Sequence, residues 1–111
     1  MRCSVVSGDI FAKHDLKGHA ESRVRHGQVL SGVPAGVKWI DPVPASLSDL
    51  ERVHTSRHIR LIQEFSRGHH FIDLNTYLTP DSFEVALSAA GSAILAIERA
   101  LDGEALSLIH I

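Results

Sequence analysis

A long amphipathic helix near the carboxyl-terminal end of the sequence sets the strongest condition on the fold. Thr79 can cap this helix, Pro80 suits its first position and Gly103 favours its end. Between them the larger apolar residues repeat every three or four positions, beside a row of alanines. The two rows are Phe83, Leu87, Ala90, Ile94, Ile97 and Leu101, and Ala86, Ala89, Ala93, Ala96 and Ala100. A face this wide predicts a core helix that other elements cover.

Shorter elements precede this helix. A β-branched run predicts an opening strand over 3–6, and residues 11–20, which are polar and without period, predict a loop. The spacing over 21–30 favours a short helix, and alternation over 37–40 favours a second short strand.

Two more helices are expected before the long one. Either Ser46 or Ser48 can cap the first, and Ser48 has capping-box spacing to Glu51. The second starts at Ser56 and carries an apolar stripe that ends near Gly68. The stripe comprises Ile59, Leu61, Ile62 and Phe65. The segment 71–78 alternates imperfectly and is interpreted as a loop with some extended character.

Composition excludes several classes of partner. A net charge of -2 lacks the basic excess that follows phosphate backbones, so a nucleic-acid partner is not expected. No apolar run approaches the ~20 residues that span a bilayer, so no membrane partner is expected. A single cysteine, Cys3, cannot form an internal disulfide, and no secretory signal is recognisable, which favours a cytoplasmic location.

Eight histidines invite a metal-binding interpretation. They are scattered over several predicted elements and lack the tight spacing of metal-binding motifs. No metal ligand is therefore assigned, although metal binding through these histidines stays an alternative, one that predicts zinc uptake with release of protons.

Four segments, in this order and spacing, resemble the amino-terminal third of the histone deacetylase and acetoin-utilisation superfamily. Residues 18–25 are similar to its His-Pro-Glu-Ser loop and following arginine, with Ala20 in place of proline. Residues 44–59 resemble its helix pair, with His58 where tyrosine is common. Residues 72–77 are similar to its Asp-x-Asp-Thr-Tyr segment, and residues 82–91 to its Ser, Ala, Ala-Gly helix.

The resemblance implies an α/β fold: the N-terminal part of an arginase-like three-layer domain with a mainly parallel sheet, rich in helix in this portion. It also implies a zinc-dependent enzyme that hydrolyses acetyl-amide bonds of acetyl-lysine in proteins or of small acetylated amines. In such enzymes a metal lowers the pKa of its bound water and a histidine acts as general base. The zinc ligands and catalytic motifs of the family do not occur in this sequence, so no catalytic residue is assigned and zinc is expected only in a longer parent protein.

The resemblance implies four candidate contact residues, whereas one adjacent pair of histidines does not correspond to the family's catalytic pair. Asp73 and Asn75 correspond to the family's substrate-rim loop, where an acidic residue is common, and His19 and Glu21 fall in its entrance loop. Turn formation or loop ordering are the alternative roles for all four. The adjacent histidines 69–70 precede the rim segment, whereas the family's catalytic pair follows the long helix, so they are interpreted as a solvated pair at a helix end.

The last residues are expected to be foreign to the domain. Residues 1–105 are interpreted as the N-terminal portion of a deacetylase-like domain, and residues 106–111 as a non-native tail that resembles translated adapter sequence. A short native strand is the alternative.

Two functional hypotheses follow. In the first, the chain is an inactive portion of a deacetylase. In the second, it is a small helical interaction module without catalysis, whose long helix docks on a partner or on a second copy.

Overall fold

The computed structural model describes residues 3–103 and 107–110 of the chain. The helices are α1 (Arg23–Ser31), α2 (Leu47–Leu50), α3 (Ser56–Phe65) and α4 (Ser82–Leu101). The strands are β1 (Cys3–Val6), β2 (Lys38–Ile40), β3 (His70–Phe71), β4 (Tyr77–Leu78) and β5 (Ser107–His110). A 3-10 helix at Asp9–Lys13 follows β1, so the predicted loop over 11–20 is partly helical.

A three-stranded parallel sheet with the order β2-β1-β5 forms the centre of the fold. Val5 and Val6 of β1 are fully buried, because β1 has a strand on each side and helices cover the sheet. The predicted α/β class with a mainly parallel sheet is confirmed. Segment 107–110, expected from the sequence to be foreign to the domain, pairs with β1 from Cys3↔Ser107 to Val6↔His110. It is therefore a strand, and its non-native origin stays a prediction.

The predicted start of α3 is confirmed, whereas α4 begins at Ser82 with Asp81 as its N-cap, and not at Pro80 after a Thr79 cap. Thr55 caps α3, which begins at Ser56 as expected but already ends at Phe65. The capping box of α2 joins Ser46 to Asp49, not Ser48 to Glu51. Ser46 has the extended backbone that a capping residue needs, with φ -78° and ψ 159°.

Helix α4 buries a face that shares only Ala96 with the two apolar rows predicted for it. Its buried residues are Ser82, Val85, Ser88, Gly91, Ser92 and Ala96. The predicted core row is exposed at its end, with Ile97 61% and Leu101 81% accessible. The expectation that this row lies in the core is therefore wrong for the described residues. The reason is that small side chains let α4 come close to the chain at Val43–Ala45, where Gly91 meets backbone atoms.

The segment 71–78, interpreted as a loop with some extended character, lies in a short antiparallel hairpin that begins at His70. Strand β3 pairs with β4 through His70↔Leu78 and Phe71↔Tyr77. Within the described residues, no helix is both long and apolar enough to cross a bilayer.

Candidate functional site

The rim hairpin, residues 70–78, presents the candidate contact residues on its turn. The backbone N–H of Ile72 donates to the carbonyl of Thr76 over 2.9 Å and closes the turn. Asp73 accepts two hydrogen bonds inside it: Oδ1 from the Asn75 N–H at 2.8 Å and Oδ2 from the Thr76 hydroxyl at 3.1 Å. The bond from the Asn75 backbone, followed by that from Thr76, holds the pKa of Asp73 below its usual value.

Asp73 and Asn75 differ in whether their side chains are already hydrogen-bonded within the rim hairpin. Both oxygens of Asp73 are engaged by its own turn, which is the common local role of an aspartate in a loop. The side chain of Asn75 is exposed and makes no hydrogen bond to any residue that the structure describes. An amide in this state can both donate to and accept from an external backbone. Of the two residues, Asn75 therefore has the side chain that is available to contact another molecule.

The entrance loop, residues 14–22, holds the other two candidates in contact with each other. Gly18 turns the chain with a φ of 84°, a left-handed conformation that favours glycine. Nδ1 of His19 then accepts from the backbone N–H of Glu21 at 3.0 Å. The Glu21 carboxylate pairs with Arg25 at 3.5 Å, and both side chains are exposed. An exposed pair of this kind contributes at most about 1 kcal/mol.

Tyr77 joins the entrance loop to the rim hairpin. Its ring is only 3% exposed and stacks on His14, with centroids 4.3 Å apart and planes 5° from parallel. His19 meets the same ring edge-on at 4.8 Å. The hydroxyl donates to the carbonyl oxygen of Glu21 and lies 3.3 Å from that of His14. Burial, followed by the nearby carboxylates, raises the pKa of Tyr77, so the hydroxyl keeps its proton and can donate.

A second connection runs from His14 to the first turn of α4. Nδ1 of His14 lies 2.6 Å from Oγ of Ser82, which is buried. Neither residue type nor spacing assigned a role to His14, Tyr77 or Ser82. One signal was present, since Tyr77 is the only tyrosine of the chain and falls within a segment that carries the family resemblance.

The entrance loop also borders a cleft of about 430 Å³ beside α1. Asp15 shapes this cleft indirectly, because its Oδ1 accepts from the N–H of Arg23 at 2.8 Å and so fixes the start of α1. His26 faces the cleft and lies 3.3 Å from the hydroxyl of Ser7. The lining residues are Phe11, His14, Glu21, Ser22, Arg25, His26, Val29 and Val85.

The remaining histidines do not build a metal centre in the described part of the chain. No group of three or more histidine, cysteine, aspartate or glutamate side chains there is arranged to hold an ion. His54 and His58 are neighbours on exposed surface, with ring centroids 5.0 Å apart. Of the adjacent pair at 69–70, His70 sits in β3 with its ring edge-on to Phe65 at 5.6 Å. The described residues therefore do not fit a catalytic zinc, and no chemical step through zinc can be derived from them.

The chain belongs to the histone deacetylase family, because residues 17–111 match the histone deacetylase domain. It is 34% identical over 109 residues to a probable deacetylase of Methanothermobacter thermautotrophicus, covering 94% of this chain and 33% of that protein. It is 34% identical over 94 residues to a histone deacetylase-like amidohydrolase of Pseudomonas aeruginosa, covering 79% of this chain and 25% of that protein. The chain thus spans about a third or less of the curated relatives it matches.

A solved structure supports the same fold. The crystal structure of the HDA15 HD domain superposes with a TM-score of 0.81 over 97% of this chain and 34% of that one, at 21% identity. The partial α/β deacetylase fold anticipated from the four motif segments is therefore confirmed.

Proposed function

We propose that this chain supplies the substrate rim of a longer zinc-dependent deacetylase. The parent enzyme hydrolyses the acetyl-amide bond of acetyl-lysine in a protein, or of a small acetylated amine. The observation that carries the proposal is the meeting of the rim hairpin with the entrance loop at Tyr77. Each segment was identified from a motif of its own. The fold brings the two together at the contact between Tyr77 and Glu21, which lie 56 positions apart in the sequence.

In this proposal the chain binds and orients substrate, and residues outside it supply the metal chemistry. Asn75 offers its exposed side-chain amide to the backbone of the substrate, while Asp73 fixes the backbone of the turn by accepting from the backbone N–H of Asn75. Because Asn75 carries no charge, it gives hydrogen bonding without attraction for a cationic peptide. Zinc belongs to the parent enzyme, where it would activate the attacking water.

An exposed apolar strip on α4 supports the view that the chain works as part of a larger domain. Ile94, Ile97 and Leu101 lie along one side of the helix and are all exposed in this chain. Contiguous apolar surface of this kind marks an interaction site. In the parent enzyme the strip would be covered by further elements of the same domain.

Extending the reading frame tests the proposal. The source DNA beyond the codon for Ala105 should encode, in frame, a Gly-His-His segment and then an Asp-x-His pair. The extended protein should release acetate from an acetyl-lysine peptide and lose this activity with a zinc chelator, whereas the 111-residue chain releases none. Chelator-sensitive release of acetate by the 111-residue chain alone, or an extended frame without those motifs, would refute it.

The exposed strip also favours a second candidate, a helical interaction module that pairs with another copy of itself. Its melting temperature should then rise with protein concentration, because dimerisation stabilises the folded state by mass action. A melting temperature that is independent of concentration, with a monomeric mass in sedimentation, would exclude this candidate.

A further inference from the structure

The contact between His14 and Ser82 depends on where the protons lie. Oγ of Ser82 accepts from the backbone N–H of Thr79 at 2.7 Å and lies 3.1 Å from the Thr79 hydroxyl. Oγ1 of Thr79 accepts in turn from the N–H of Asp81 at 3.3 Å. If Nδ1 of a neutral His14 accepts from Ser82, then the Thr79 hydroxyl can donate to Ser82, and every one of these polar atoms has a partner.

A protonated imidazole breaks this arrangement. Nδ1 of a protonated His14 must donate, so the Ser82 hydroxyl has to turn its proton toward Thr79. The Thr79 hydroxyl proton then has no acceptor among the described residues. Thr79 and Ser82 are only 5% and 4% exposed, so water has little access to replace that partner. An unsatisfied buried donor is costly.

We propose that His14 and Tyr77 are positioning residues that fasten the entrance loop to the rim hairpin, and that only the neutral form of His14 with its proton on Nε2 keeps them fastened. Tyr77 stacks on His14 and holds the carbonyl of Glu21, while His14 anchors the same loop to the start of α4. The consequence for substrate binding rests on the proposed function. The fastening itself is a property of this chain.

The surroundings of the imidazole favour its neutral form at ordinary pH. Burial is the largest influence and lowers the pKa of His14, His19 adds to this, and the carboxylates of Glu21 and Asp15 oppose it. Helix α4 faces the ring with the neutral hydroxyl of Ser82. The charged and titratable groups that face the ring or line the same cleft are Asp15, His19, Glu21, Arg25, His26 and Tyr77.

The contacts of His14 and Tyr77 should also keep the backbone of the entrance loop ordered. The amides of His19 and Arg23 are bonded within this region, to the carbonyl of Leu16 at 3.0 Å and to the Asp15 carboxylate at 2.8 Å. When the loop detaches, these amides should exchange with solvent faster, while amides inside α4 should not change. Hydrogen exchange at single residues can therefore distinguish release of the loop from unfolding of the whole chain.

The first test removes one hydroxyl. Tyr77→Phe should lower the protection of the His19 and Arg23 amides, relative to α4, by about tenfold, which converts to about 1.4 kcal/mol. Thr76→Val is the matched control, because it removes a hydroxyl from the same hairpin that bonds only to Asp73 within the turn. It should leave the protection of both amides unchanged. Unchanged protection in Tyr77→Phe, or an equal loss in both variants, would overturn the proposal.

The second test measures how the fastening of the entrance loop depends on pH. Lowering the pH from about 7.5 to about 5 crosses the usual histidine range, so protection, corrected for intrinsic exchange rates, should fall in the wild-type loop. His14→Phe keeps an aromatic ring but cannot titrate, and its loop protection should be lower and independent of pH. The control His26→Phe should retain the wild-type pH dependence. A pH dependence that persists in His14→Phe, or that vanishes only in His26→Phe, contradicts a role for His14.

These measurements need no turnover. If the loop amides behave as stated and the extended protein shows no deacetylation, the proposed function fails and the positioning role of His14 and Tyr77 stands. If the extended protein deacetylates and the amides do not respond, the positioning role fails alone.

Discussion

Replacing Gly91 with alanine should destabilise the fold, because the added methyl group has no room. Its Cβ would overlap the carbonyl oxygen of Val43 and lie 2.5 Å from N of Ala45 and 2.6 Å from C of Pro44. These are backbone atoms, which cannot swing aside, so α4 must move away from them. The movement would break the 2.9 Å hydrogen bond from the Ala45 N–H to the carbonyl of Leu87.

The free energy of unfolding should fall by about 3 kcal/mol. Overpacking a close contact costs about 1–3 kcal/mol, and leaving the buried N–H of Ala45 unpaired costs about another 1–3 kcal/mol. The better helix propensity of alanine returns about 1 kcal/mol. The loss of packing therefore exceeds the gain in propensity.

Gly27→Ala is the matched control, because Gly27 also lies inside a helix but has no atom within 4 Å of the added Cβ. Urea titrations followed by far-ultraviolet circular dichroism should show Gly91→Ala weakened and Gly27→Ala equal to the wild type or more stable. Exchange of the Ala45 amide gives a local readout, with protection lowered roughly a hundredfold by a loss of this size. If both variants gained stability alike, or the Ala45 amide kept its protection, the close approach at Gly91 would be refuted.

Three further substitutions test the rim and the exposed face of α4. In the extended enzyme, Asn75→Ala should raise KM for an acetyl-lysine peptide by roughly fivefold, the effect of about one hydrogen bond, with kcat unchanged; an unchanged KM would exclude substrate contact by Asn75. Asp73→Asn should make the free energy of unfolding less sensitive to acid. Because the pKa of Asp73 is lowered in the folded state, its ionised form stabilises the fold above the usual carboxyl pKa, and this stabilisation is lost as the pH falls through the lower folded pKa. Urea midpoints measured near neutrality and in acid should thus differ less in Asp73→Asn than in the wild type, and equal differences would contradict this. Replacing Ile97 and Leu101 together by glutamine should reduce binding of a hydrophobic dye without lowering the urea midpoint, because both side chains are exposed; a large loss of stability would show that the strip is covered in the chain alone.

Local sequence signals predicted most of the secondary structure. The strand β1 and the start of α3 followed from residue types within a few positions of each other. Helix α4 instead begins at Ser82, two residues after the predicted first position at Pro80. The end of α4 was equally local, since Gly103 adopts the positive φ of 74° that favours glycine. Such signals survive in most folds because they depend on backbone geometry and on neighbours along the chain.

The family resemblance identified Asp73 and Asn75 as rim candidates, but it did not distinguish their roles. The sequence left open whether Asp73 or Asn75 faces a substrate. The turn geometry assigns both oxygens of Asp73 to its own loop and leaves the amide of Asn75 exposed. Which side chain is engaged depends on distances inside the turn, which residue types alone do not specify.

What the sequence determined by itself was the class of fold, the family, and where most elements begin and end. The tertiary structure decided which face of α4 is buried and which distant residues meet. Apolar periodicity favoured the row that ends at Leu101, but a backbone contact that only Gly91 permits turned the small-residue face inward. His14 and Ser82 lie 68 positions apart, and periodicity describes spacing along one element without fixing how two elements approach each other.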